Sequence, residues 1–221
     1  MTHADADLEP LLADLGALAD RTCADREPAH DALHVHRVAN VARSIAKAEG
    51  AHVPTAVGAA LLHELFNLPK NHPDSARSGE ICAEHAAREL ARIGWPAERM
   101  EPVCYAIRVH GFSRGIVPDT LEARVLQDAD RLDAIGAIGI ARLFATAADM
   151  KSLFYSPLDP FAQARPLDDK RYAVDHFFRK LLKIPEGLHT PAARVLAQDR
   201  IALMKRFLDQ LAEEIGASRS L

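Results

Sequence analysis

The chain has 221 residues, of which 48% are hydrophobic and 26% charged, and its formal net charge is −4. That length and apolar content suffice for one buried core, and residues 1–221 read as a single domain. The acidic balance disfavours a protein built to grip nucleic acid or an anionic membrane, while leaving room for a small phosphorylated ligand.

The first residues, Met1-Thr2-His3-Ala4-Asp5-Ala6-Asp7, are acidic where a secretory signal would be basic. The apolar run Ala134 to Ala141 is far too short to span a bilayer. The expectation is a soluble, cytoplasmic protein. Cys23, Cys82 and Cys104 are odd in number, widely spaced and without a Cys-x-x-Cys pair, so they read as reduced residues rather than as a disulfide framework or thiolate site. Alanine and leucine are abundant, aromatics are only 5%, and no long run alternates like a strand. The predicted class is all-α, in roughly eight helices.

In chain order, Asp31 caps a helix with an apolar stripe at Val38, Val41, Ile45 and Ala48. Four residues back from Val38 is His34, which therefore points inward; Arg37 projects near the same face. A lone inward histidine is ordinarily a satisfied core residue. The next helix, Pro54 to Phe66, is apolar nearly all round until His63 and Glu64 arrive together. A buried ionised glutamate needs compensation, which a cation supplies directly; the plainer reading is an exposed helix end.

The loop after this pair carries Lys70 and His72, and Arg77 follows early in the next helix. Lys70 is the first candidate for phosphate binding, with Arg77 as a second clamp, although isolated surface cations are usually just solvated. His85 has ordinary amphipathic surroundings and reads as a surface residue. His110, at a helix end before Gly111, is either a cap or a proton donor to a leaving oxygen. Asp119 with Glu122 makes a capping-box pattern for a helix that carries Asp130 and Asp133 one turn apart, both set among apolar residues. Asp133 is a candidate to orient a ligand or to act as a base.

Residues 150–168, punctuated by Pro157, Pro160 and Pro166, form the long irregular stretch and read as a possible lid. Thr190 before Pro191 opens the last helix, whose stripe at Ile201, Met204, Leu208, Leu211 and Ile215 packs inward. Together His34, His63, Glu64 and Asp130 supply two imidazoles and two carboxylates. That mixed set suits one divalent ion, Mn²⁺ or another first-row transition metal more naturally than Mg²⁺.

These residues resemble the HD-domain superfamily, whose signature is an upstream histidine, a His-Asp pair and a distant aspartate. The resemblance extends to Ala29–Val38, Lys70–Pro73, His110–Ser113 and Gln127–Gly139, and to Asp159–Phe177 almost word for word. It points to the branch of bacterial phosphohydrolases typified by YedJ. What it implies is a compact helical HD-type fold and metal-dependent hydrolysis of a phosphoester or phosphoanhydride, with a nucleotide as the substrate class. Glu64 departs from the motif's aspartate. Two competing readings follow: a nucleotide-binding module disabled by Glu64, and, more distantly, a di-iron oxygenase. Oligomeric state is left open.

Overall fold

The computed structural model describes residues 8–27, 30–68, 72–111 and 115–217. Among these the chain is helical, with nine α-helices: α1 Glu9–Thr22, α2 Ala32–Glu49, α3 Val53–Leu62, α4 Ser78–Arg92, α5 Ala97–Val109, α6 Leu121–Asp133, α7 Gly136–Asp149, α8 Ala173–Arg179 and α9 Pro191–Glu214. Two short 3₁₀ segments, Ser75–Arg77 and Leu181–Gly187, complete the set, and the one extended pairing is an isolated bridge between Leu153 and Tyr172. No described helix is long and apolar enough to cross a membrane. The chain divides into two compact units, one of residues 1–130 with 189–193, the other of 131–188 with 194–221.

In the first unit α3 is the central element. All its residues from Pro54 to Leu62 are buried, as a helix without a polar face requires. Its start is capped by His52, whose side chain accepts the Thr55 N–H. On α2 Asp31 caps as expected, its Oδ1 accepting the His34 N–H at 2.8 Å. The buried face of α2 consists of His34, Val35, Val38, Ala39, Ala42, Ile45 and Ala46. It is rotated from the predicted stripe, since Val41 is only half-buried and Ala48 is exposed. Alanines 39, 42 and 46 are the reason: small side chains admit a neighbouring helix more closely than valine does.

Between α4 and α5 the approach is closer still. A Cβ on Gly79 would stand 2.7 Å from the Arg108 carbonyl oxygen. Helix α6 is tied down by buried polar groups. Gln127 donates to the carbonyls of Val109 and Ile116, and Asp128 accepts from the N–H groups of His189 and Thr190 and from the Thr190 hydroxyl. The capping box is not formed. Thr120 Oγ1 accepts from Ala123 N–H, while Glu122 turns away to accept the His52 N–H at 2.9 Å. That orphan amide at the start of α3 lies in another element, so sequence spacing holds no sign of it.

In the second unit residues 150–172 are irregular but firmly tied. Leu153 N–H donates to Arg171, and Ala173 N–H returns to Leu153. Asp175, fully buried, receives both guanidinium nitrogens of Arg165 at 2.6 and 2.7 Å and the Asp168 N–H at 2.6 Å. The same guanidinium lies 4.5 Å over the Tyr172 ring. On α9 Met204 and Leu208 are buried, with Ile201, Leu211 and, just past the helix end, Ile215 half-buried, so the predicted stripe faces inward.

Replacing one member of a buried ion pair strands the other charge. Asp175→Asn is therefore expected to lower unfolding free energy by about 3 kcal/mol, measured by urea denaturation; a loss well under 1 kcal/mol would mean that Arg165 finds equivalent partners.

Candidate metal centre

Helix α3 ends at Leu62 and hands the chain to His63 as its C-cap residue. The His63 ring donates from Nδ1 to the Ala60 carbonyl at 2.6 Å, which fixes the tautomer and leaves Nε2 as a lone-pair donor. From α2, His34 brings its own Nε2 to 3.3 Å from that of His63. From α6, Asp130 Oδ1 lies 3.6 Å from His34 Nε2. Bonds of about 2.1 Å at octahedral or tetrahedral angles put two donors about 3.0–3.4 Å apart, so this spacing fits ligands of one ion.

His34, His63 and Asp130 each offer an atom within 4.8 Å of the others. Both imidazoles are 1% exposed, while the Asp130 side chain is 34% exposed, leaving the group open on the aspartate side. Burial drives the His63 pKa down to about 4 against the opposing pull of Glu64 and Asp130, so the ring is neutral at pH 7, as a metal ligand must be.

Glu64 joins a second group, with His30 and His34, that meets the same spacing. Only 5% of it is exposed, so the exposed-helix-end reading fails. Its Oε1 accepts from His30 Nδ1 at 3.0 Å and its Oε2 from Arg26 Nη1 at 3.1 Å. Burial pushes this carboxyl up, but the His30 hydrogen bond and the charges of His63, His30 and His110 outweigh it and hold the pKa at about 2. Arg26 and His30 escaped sequence reading. His30 lies one turn ahead of His34, a faint signal, and Arg26 lies in a loop 38 residues from its partner with no periodicity to mark it.

Two thiols brace the same turn. Cys82 Sγ–H lies 3.3 Å from the carbonyls of Leu62 and His63, and Cys23 Sγ–H lies 3.8 Å from that of Glu64. Burial raises the Cys82 pKa to about 12, so it stays protonated and donates. All three cysteines are free and buried, in keeping with the reduced reading.

His110 is the C-cap of α5 and repeats the device of His63, donating from Nδ1 to the Ile107 carbonyl at 2.6 Å. Its ring meets that of His63 edge-on, with centroids 5.4 Å apart. Arg37 is half-buried on α2. Arg77 is 60% exposed and faces Glu80 at 3.8 Å. Lys70 lies outside the described residues. Asp133 is buried in the second unit, where Arg142 donates to its Oδ2 at 2.7 Å. His85 stacks on Phe66, centroids 5.3 Å apart.

An inward histidine, a second histidine followed by an acid at a helix end, and a distant aspartate thus converge on one side of α3. The sequence model of the HD domain matches residues 32–135. A relative from Bacillus subtilis, the uncharacterized protein YpgQ, is 34% identical over 195 residues, which are 86% of this chain and 87% of the relative. The chain belongs to the HD-domain family. The fold agrees. The crystal structure of Bacillus subtilis YpgQ in complex with ADP aligns at a TM-score of 0.73 with 31% identity, covering 93% of this chain and 95% of that one. An HD-superfamily hydrolase from Bacillus thuringiensis aligns at 0.75 with 28% identity, covering 95% and 99%. This HD-domain protein is a metal-dependent phosphohydrolase. Arg26 and His30 both precede the stretch that the family model matches.

The depressed pKa values of His63 and Glu64 set an acid limit on the metal-free protein. Each group binds a proton more readily in the unfolded chain. Their contribution to stability is full above pH 6.5, falls first as pH drops towards 4 through His63, and falls again between 4.5 and 2 through Glu64. Urea melts of chelator-treated protein should show this decline, and His63→Gln should flatten the part above pH 4.

Proposed function

We propose that this phosphohydrolase cleaves a phosphoester or phosphoanhydride bond of a nucleotide at one divalent ion held on His34, His63 and Asp130. Mn²⁺ or another first-row transition ion is favoured over Mg²⁺, because two imidazoles suit such ions better than the hard, oxygen-seeking Mg²⁺. The observation that carries the reading is the convergence of these three donors within 4.8 Å. The ADP complex of the Bacillus subtilis relative supports the nucleotide.

When bound, such an ion lowers the pKa of a water and polarises a phosphoryl oxygen. The protein supplies the rest. His34 and His63 bind as neutral bases held in position by burial, and Asp130 contributes the negative charge from its more open side. His110, with Nδ1 committed to the backbone, has Nε2 to hold or deliver a proton at the leaving oxygen. Arg37 and Lys70 are assigned to substrate phosphates, with the exposed Arg77 as an outer contact. Asp133, one turn beyond Asp130 and ion-paired with Arg142, is assigned to orienting a ligand or acting as a base. Residues 150–168 are assigned as a lid, with their ties to Asp175 giving that segment a fixed frame.

Metal-stripped protein supplied separately with Mn²⁺, Mg²⁺, Ni²⁺, Fe²⁺ and Zn²⁺ is expected to release phosphate or pyrophosphate from a nucleotide panel. Asp130→Ala should reduce turnover by more than the roughly 10–100-fold that loss of a supporting group costs. Nucleotide binding without turnover under every ion would replace hydrolysis by a binding role, and oxygen consumption with two iron equivalents would replace it by oxidation.

A further inference from the structure

Glu64 stands where the family's motif has aspartate, and both of its carboxylate oxygens are already taken by protein donors: His30 Nδ1 on one, Arg26 Nη1 on the other. The segment that delivers Arg26 is built around this turn. Besides the ion pair, Arg26 Nη2 reaches the Leu65 carbonyl at 3.5 Å, and Cys23, three residues earlier, sits on the Glu64 carbonyl. His34, His63 and Asp130 form their group without Glu64. We propose that Glu64 does not ligate the ion and that Arg26 is its fixed counter-charge, a positioning residue that keeps the glutamate on the His30 side and the metal centre net positive.

The charge arithmetic shows what the pair does. With neutral imidazoles, a divalent ion and the Asp130 carboxylate sum to one positive charge. An uncompensated Glu64 would cancel it; Arg26 cancels Glu64 instead. A centre that keeps a positive charge attracts the anionic phosphate of a substrate, whereas a neutral one holds its ion more tightly and its substrate less well. The interaction is local, because the Glu64 side chain is almost wholly buried and little screened by salt.

This inference rests on the ion-binding reading above, and the test separates the two. Mn²⁺ is titrated into metal-stripped native protein, Glu64→Gln, Arg26→Gln, the double variant, Arg26→Lys and Asp130→Asn, with thermal melts to verify folding and with KM measured for an active nucleotide. The native chain should take up one equivalent, and Asp130→Asn should abolish binding at working concentrations. Glu64→Gln should weaken Mn²⁺ binding by no more than the roughly 10–100-fold that loss of a supporting group costs. Arg26→Gln should tighten it several-fold while raising KM, because it strips a positive charge from the vicinity of the ion. The double variant should return close to native affinity, and Arg26→Lys should match the native protein throughout.

If Glu64 is a ligand, Glu64→Gln and the double variant both lose more than about a hundredfold in Mn²⁺ affinity, which overturns the proposal. An Arg26→Gln variant that folds but binds Mn²⁺ no more tightly also overturns it. Should Arg26→Gln fail to fold, Glu64→Gln decides alone. A native chain that binds no Mn²⁺ defeats the metal reading itself.

Discussion

Helix α3 is buried on every side, and a helix so placed must still end inside the protein, where its last carbonyls have no helical partners. Much of the first unit follows from how that end is satisfied. The thiol of Cys82 points at two of the carbonyls, the His63 ring donates back into the last turn, and the next residue, Glu64, is delivered into the core with its charge intact. Donors on three other segments then assemble around these two side chains: His34 on α2, Asp130 on α6, and Arg26 with His30 ahead of α2. The polar cluster is thus a response to a backbone problem as much as a chemical device.

Asp130 reaches the cluster because α6 is held in register by its neighbours in sequence. Asp128 binds the two backbone amides and the hydroxyl just ahead of α9, and Gln127 binds the carbonyls of Val109 at the end of α5 and of Ile116 beyond it. Both fix the rotation of the helix on which Asp130 sits. A buried carboxylate with several hydrogen-bond donors is satisfied without an ion of its own.

The helical class and the three donors His34, His63 and Asp130 were legible because each depends on local pattern: an amphipathic stripe, an apolar helix broken by two polar residues, an acid among apolar neighbours. What spacing could not reveal was partnership across the chain. Glu122 looked like half of a capping box and instead satisfies an amide at the start of α3. Asp133, one turn from Asp130, is also ion-paired with Arg142. Arg26, read as nothing in particular, is the partner of the one motif position that departs from the family. In each case a long side chain is committed to a group many residues away, and no periodicity records that commitment.

His63 and His110 share one local arrangement: a histidine at a helix C-terminus whose Nδ1 is bonded to the carbonyl three residues back. In many metal proteins a carboxylate occupies the place behind the imidazole and makes the ring a more basic ligand. A neutral carbonyl sets the ring's orientation equally well but lends it no negative charge. The ring of His63 is therefore aimed by the backbone alone. A change that shifts the last turn of α3 therefore re-aims the ring directly, because the backbone that ends the helix is also what holds the imidazole.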